Sequence, residues 1–291
     1  MKTFNWIIPL LALMMLSCNG QEDEADASGN FEADEVIVSA EVQGRILAFV
    51  PEEGSSLARG EVSVLIDTTQ LYLKKLQLES GRSSLDSRIR TLKAQVRASR
   101  VQLENLEREK RRVDKMAEGG AATSKQDDMN GQIALLEAQI AATESRETSV
   151  HAEHRTLEVQ IRQVEDQLDR CFVRNPMDGV LLTRYKHAGE IAVPGQALYK
   201  MANLDELILR AYVSGNQLSS VKVGETVRVC YDSPDGMTET SGMVSWVSSR
   251  AEFTPKIIQT REERVNLVYA VKVLVSNDGS LKIGMPGEVR F

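Results

Sequence analysis

The residues most able to do chemistry are few, and their spacing limits what that chemistry can be. His151 and His154 stand three apart in HAEH, so on a helix they lie on adjoining faces that could chelate a metal ion. No third ligand is fixed by the sequence, and His154 falls on an apolar seam, where a packed or paired histidine is the simpler role. His187 has no evident partner. Cys171 and Cys230 lie in different segments, and two distant cysteines do not define a disulfide, so both are read as unpaired thiols. The methionines are scattered, with Met1, Met14 and Met15 at the extreme N-terminus, and form no soft-metal cluster. There is no nucleophile elbow, phosphate loop or Cys/His cluster. The expectation is a binding protein with no catalytic residue, no cofactor and no metal.

Charge narrows the class of partner. The formal net charge is -7, and residues 21–35 alone carry seven acids (Glu22, Asp23, Glu24, Asp26, Glu32, Asp34, Glu35) and no base. With that segment (-7) and Lys2 (+1) set aside, about -1 remains, so no basic surface for nucleic acid is expected. Upstream, Lys2 precedes an apolar run from Trp6 to Leu16, too short for a comfortable membrane span and shaped like a secretory signal. The run ends in Ser17-Cys18 and resembles a bacterial lipoprotein signal, although Met15 stands where Leu is usual. The resemblance implies a signal peptide over 1–17 and a lipidated Cys18. An uncleaved anchor or an ordinary signal peptide is the alternative, and it too places the remainder outside the cytoplasm. Residues 18–35 read as a solvated acidic tether.

Two segments repeat. Val38 to Asp67 aligns without a gap on Val173 to Ala202 at an offset of 135, matching Gly44 with Gly179, Gly54 with Gly189 and Gly60 with Gly195. Short strand-like runs lie between these glycines, which mark turns or close chain approach. Each half (36–67 and 171–202) is too small to be stable alone, but two can pair about a pseudo-twofold axis. This resembles the biotinyl/lipoyl fold. In that fold a tight hairpin carrying a modified Lys joins the halves, whereas here the join is about a hundred residues long and the Lys turn has no counterpart.

The join, residues 68–170, carries heptads. Leu71, Leu78, Leu85, Leu92, Ser99, Leu106 and Val113 recur every seven residues, interleaved by Ile89, Val96 and Leu103. Beyond Gly119-Gly120 the steps alternate four and three from Met129 through Ile140, Thr143, Val150 and Ile161 to Leu168. That period specifies two helices in a left-handed antiparallel coiled coil. The double glycine is the turn, Glu118 ends the first helix, and Thr123 or Ser124 caps the second. Ser99 and Thr143 are small polar breaks at matching depth, suited to fixing register.

A split lipoyl-like domain around an α-hairpin on a lipoprotein is similar to the HlyD-type membrane fusion proteins, the periplasmic adaptors of tripartite efflux or secretion systems. That family's hairpin tip carries Arg, three residues, Leu, six residues and Ser, which engage a TolC-like outer-membrane channel. Arg112, Met116 and Thr123 fit the spacing, with Met for Leu and Thr for Ser. Residues 203–291 read as a small antiparallel β-barrel, from short β-rich runs separated by Ser214-Gly215-Asn216, Ser233-Pro234-Asp235-Gly236 and Asn277-Asp278-Gly279. Ser249 to Arg264 resembles a segment of adaptors that serve ABC-type transporters.

The expected fold is therefore α+β and elongated: a split lipoyl-like sandwich, a coiled-coil hairpin and a barrel. The resemblance implies a non-enzymatic adaptor between an inner-membrane transporter, ABC-type favoured, and a TolC-like channel. It also implies a homo-oligomer, hexameric by analogy, lipid-anchored to the inner membrane in the periplasm of a Gram-negative bacterium. The competing readings are a surface or periplasmic coiled-coil structural lipoprotein and, less favoured, a lipoyl-type carrier domain.

Overall fold

The computed structural model describes residues 25–117, 123–234, 236–253 and 267–291. The architecture is α+β: a split β-sandwich, a long helical hairpin inserted into it, and a closed barrel.

The sandwich is built from the two repeats. The first supplies β2 (Glu35–Ser39), β3 (Gly44–Phe49), β4 (Ser56–Leu57) and β5 (Val62–Ile66), and the second supplies β6 (Phe172–Arg174), β7 (Gly179–Arg184), β8 (Ile191–Ala192) and β9 (Ala197–Ala202). One sheet runs β2-β9-β7-β4 and the other β6-β5-β3-β8. Exchanging each strand for its repeat partner converts one order into the other, so the pseudo-twofold axis is real and the halves interdigitate. Backbone bonds obey it too. Gly54 N donates to Leu181 O and Gly189 N to Ile46 O, each at 2.8 Å, while Gly60 N donates to Asn175 O and Gly195 N to Ala40 O, again each at 2.8 Å.

The three glycine pairs serve two purposes. Gly54 and Gly189, like Gly60 and Gly195, take φ between 80° and 93°, a conformation that costs other residues about 1–2 kcal/mol. Gly44 and Gly179 instead permit close approach. A Cβ on Gly44 would lie 2.6 Å from Ile66 Cγ2, and one on Gly179 would lie 2.4 Å from the carbonyl oxygen of Ala202. Between the sheets Ile46, Val64, Ile66, Leu181, Leu198, Tyr199 and Met201 form a fully buried core.

The hairpin consists of α1 (Thr69–Ala117) and α2 (Thr123–Asp169). Asp67 Oδ1 accepts the Thr69 amide at 2.9 Å and so caps α1 immediately after β5. Every seam residue named above is buried or half-buried. Cross-helix pairs confirm the antiparallel sense: Lys75 meets Glu165, Asp86 meets His154, Lys93 meets Glu147, and Arg100 meets Glu144. Among the described residues no helix is long and apolar enough to cross a membrane.

The barrel contains β10 (Glu206–Ser214), β11 (Thr226–Ser233), β12 (Gly236–Val247), β14 (Leu267–Ser276) and β15 (Pro286–Arg290), with the short β13 (Glu252–Phe253) paired to β14. Its sixth wall strand is β1 (Ala27–Glu32), which lies between β10 and β15, and closure is completed by β10 on β14. Over residues 27–32 this corrects the reading of 18–35 as a solvated tether, while 18–24 lie outside the described residues. Ala27 and Phe31 point inward and join Leu207, Leu209, Ala211, Val213 and Val289 in the barrel core. Gly29 allows the contact, since a Cβ there would fall 1.8 Å from the carbonyl oxygen of Arg210. The acids flanking these residues stay on the solvent side of the strand, as period-two alternation allows.

Candidate functional site

The far end of the hairpin is built by the end of α1 and the start of α2. Val113, 8% exposed, and Met129, 5% exposed, are the buried seam residues nearest the turn. Beside them Gln126 Nε2 donates to Asp114 Oδ1 at 2.9 Å, tying the helices together close to the reversal. Arg112 and Met116 stand four residues apart, so they share one face of α1. Arg112 is exposed, and Met116 is 78% exposed despite its apolar side chain. Met116 is therefore not a last seam residue. Thr123 is the first residue of α2. Gly119, Gly120 and Glu118 lie outside the described residues, as do the segment 1–17, Cys18 and residues 254–266. The tip thus presents a guanidinium fork and a flexible apolar knob on one face of a supported helix end, with the start of the second helix across the turn.

The near end of the hairpin joins the sandwich through two short connections. Ile66 is followed at Thr69 by α1, and Asp169 is followed at Phe172 by β6. Arg170 sits in the second connection. Its Nε donates to Asp166 Oδ2 at 2.8 Å and its Nη1 bonds Glu41, which lies between β2 and β3. The Asp166 and Glu41 carboxylates together push the Arg170 pKa up, Asp166 most strongly. Next to this bridge an open cleft of about 590 Å³ runs between the helix ends and the sandwich, lined by Glu41, Arg45, Asp67, Leu71, Asp166 and Pro194 among others.

The sandwich interior holds one polar cluster. Tyr199 OH donates to Asn175 Oδ1 at 2.6 Å and lies 2.9 Å from Ser63 Oγ, Ser63 bonds Asn175 directly, and Asn175 Nδ2 donates to Ala58 O at 3.1 Å. Each residue satisfies the next, so the cluster reads as a structural tie between the halves. Burial raises the Tyr199 pKa. Cys171 and Cys230 are buried free thiols, each with its pKa pushed up by burial. The histidines face carboxylates singly or in pairs: His154 Nε2 lies 3.2 Å from Asp86 Oδ1, and His151 Nε2 lies 3.4 Å from Glu147 Oε1. Among the described residues no three His, Cys, Asp or Glu side chains converge in a metal-binding group.

No family model matches the chain. A UPF0194 membrane protein of Yersinia enterocolitica is 26% identical over 316 residues, spanning 98% of this chain and 96% of the relative. MacA from Actinobacillus actinomycetemcomitans superposes with a TM-score of 0.66 at 19% identity, over 90% of this chain and 76% of that one. The membrane fusion protein Spr0693 of Streptococcus pneumoniae R6 superposes with a TM-score of 0.54 at 16% identity, over 90% of this chain and 97% of that one. The fold is that of a membrane fusion protein.

Within this membrane fusion fold, Arg112, Met116 and Thr123 stand near the hairpin end where the sequence put them, but two side-chain ties were missed. The Asp114–Gln126 bond was partly legible, because two polar residues flank the reversal at equal depth. The Arg170–Glu41 pair spans 129 residues and leaves no local signal.

Proposed function

We propose that the chain is a non-enzymatic periplasmic adaptor. It bridges an inner-membrane transporter, ABC-type favoured, to a TolC-like outer-membrane channel, and it works as a homo-oligomer held at the membrane by a lipid on Cys18. The membrane fusion fold supports the adaptor class. The observation that carries the docking role is the exposure of Met116 beside Arg112 at the end of a long, internally tied hairpin. A methionine left in water at that position has no core to serve, and burying such a side chain in a partner is favourable by roughly 1.5–3 kcal/mol. Arg112 supplies directional donors for carbonyls or carboxylates on a facing helix. Thr123, the first residue of α2, completes the proposed docking set.

The test is site-specific cross-linking from the hairpin tip to a TolC-like channel in cells, with export measured in parallel. Met116→Asp and Arg112→Asp should each abolish the cross-link and export while leaving helical circular dichroism near wild type. Normal cross-linking and export in both variants would reduce the tip to a plain turn. The anchor is tested separately, since Cys18→Ser should lose fatty-acid labelling.

A further inference from the structure

The junction between hairpin and sandwich has the construction of a hinge with a latch. The two connections are short and Cys171 is held in the sandwich core, so any change of hairpin angle must be absorbed around Asp67 and Thr68 on one side and Arg170 on the other. Leu71 packs against the sandwich core from the first turn of α1 and supplies an apolar pivot. The open cleft beside it gives the helix ends room to move. Lys75 ties the two helices to each other through Glu165 at 2.8 Å, so the pair tilts as a unit. Across the joint itself, one ion pair reaches from the hairpin end to the sandwich among the described residues: Arg170 to Glu41, with Asp166 gripping the other edge of the same guanidinium.

We propose that Arg170 and Glu41 form an electrostatic latch that fixes the tilt of the hairpin on the sandwich, and that releasing it lets the hairpin swing into the adjoining cleft. The bifurcated grip explains why an arginine suits the position: its planar fork holds two carboxylates in defined directions, which an ammonium cannot do. The pair is largely solvent-exposed, so it contributes little to folding stability and can be broken by competing ions without unfolding anything. Leverage makes it consequential. Helix α1 has 49 residues and extends roughly 70 Å, so a tilt of about 5° at the base moves the far end by roughly 6 Å. This device does not depend on the adaptor reading, and its test involves no channel or transporter.

The experiment is a pulsed electron-spin distance measurement on the full chain. Spin labels are placed through Val50→Cys on the sandwich and Val101→Cys on the hairpin, positions 71% and 56% exposed. Cys171 and Cys230 are buried, and a chain without the two introduced cysteines measures any labelling of them. At low salt the otherwise unaltered chain should give one narrow distance distribution. Glu41→Gln should shift and broaden it. Salt at about 1 M, where screening acts within ~3 Å, should broaden the unaltered chain to the same width and leave the Glu41→Gln chain unchanged. Arg170→Lys, which keeps the charge but loses the fork, should give an intermediate width. A Glu41→Gln distribution that superimposes on the unaltered one at low salt overturns the proposal. So does a salt response that persists undiminished in Glu41→Gln.

Discussion

Arg100 Nη2 lies 2.6 Å from Glu144 Oε1, one residue beyond Ser99 and Thr143 on their respective helices. The ion pair clamps the hairpin beside its small polar seam positions. Thr143 also spends its hydroxyl on its own helix, donating to Gln139 O at 2.9 Å. Replacing Ser99 and Thr143 together by Leu should raise the hairpin's stability by about 1–2 kcal/mol, because both sites are half-buried and gain apolar contact. Thermal unfolding followed by helical circular dichroism checks this, and a lower midpoint would place the two positions off the shared seam.

The polar cluster inside the sandwich predicts a graded response. Tyr199→Phe removes one hydroxyl but leaves Ser63 bonded to Asn175, and should cost about 1 kcal/mol. Asn175→Ala removes the acceptor shared by the Ser63 and Tyr199 hydroxyls, leaves them bonded only to each other, and empties a buried site, so it should cost roughly 2–4 kcal/mol. Urea unfolding of the two variants should rank them in that order.

The glycine pairs separate two kinds of requirement. At Gly54 nothing lies within 4 Å of an added Cβ, so Gly54→Ala suffers only the positive φ and should lose about 1 kcal/mol. Gly179→Ala drives a methyl into the Ala202 backbone and should lose roughly 2–4 kcal/mol. Equal losses in a denaturant titration would mean that the strands separate freely at Gly179.

Stability should fall at both ends of the pH scale, for opposite reasons. The Thr69 hydroxyl and amide hold the Asp67 carboxyl below its ordinary value, and Lys186 does the same for Glu190, with help from His187. A carboxyl depressed by folding contributes stability above its unfolded value of about 4, and that contribution is lost as pH falls through the folded value. Glu165 raises the Lys75 pKa and Glu35 raises that of Lys200. Their contribution is complete below the unfolded value of about 10.4 and is lost as pH rises through the folded one. Melting temperature measured against pH should therefore show an acid arm that shrinks in Glu190→Gln and an alkaline arm that shrinks in Lys75→Gln.

The repeat and the heptads were legible because each is a periodic signal. The offset of 135 carries β3 onto β7 and β4 onto β8 without adjustment. The seam from Leu71 to Leu168 needs only the 3.5-residue period to be read. Strand β1 was not legible. Only Ala27, Gly29 and Phe31 speak for a strand there, in a run dominated by acids, and its partner β10 lies some 180 residues away. Pairing over that distance is dictated by the closure of the barrel, which no local pattern announces. The exposure of Met116 was legible only as a possibility, since the same residue at the same spacing could have ended the seam. What decides it is that Val113 and Asp114 already complete the contact with α2.

The placement of β1 between β10 and β15 also sets the order of events when the chain is made. Ala27 pairs with Val289 on one edge and Ser28 with Tyr212 on the other. As the chain emerges N-terminal end first, this strand precedes both its neighbours: β10 follows only after the whole hairpin and sandwich, and β15 only after every other wall strand. The hairpin, whose contacts are local, can zip up meanwhile, whereas the barrel waits. A polypeptide interrupted before Pro286 keeps one side of β1 open, an unpaired edge that invites association or proteolysis. Barrel closure thus reports that β15 has been made, because β1 has both its neighbours only once that strand is present.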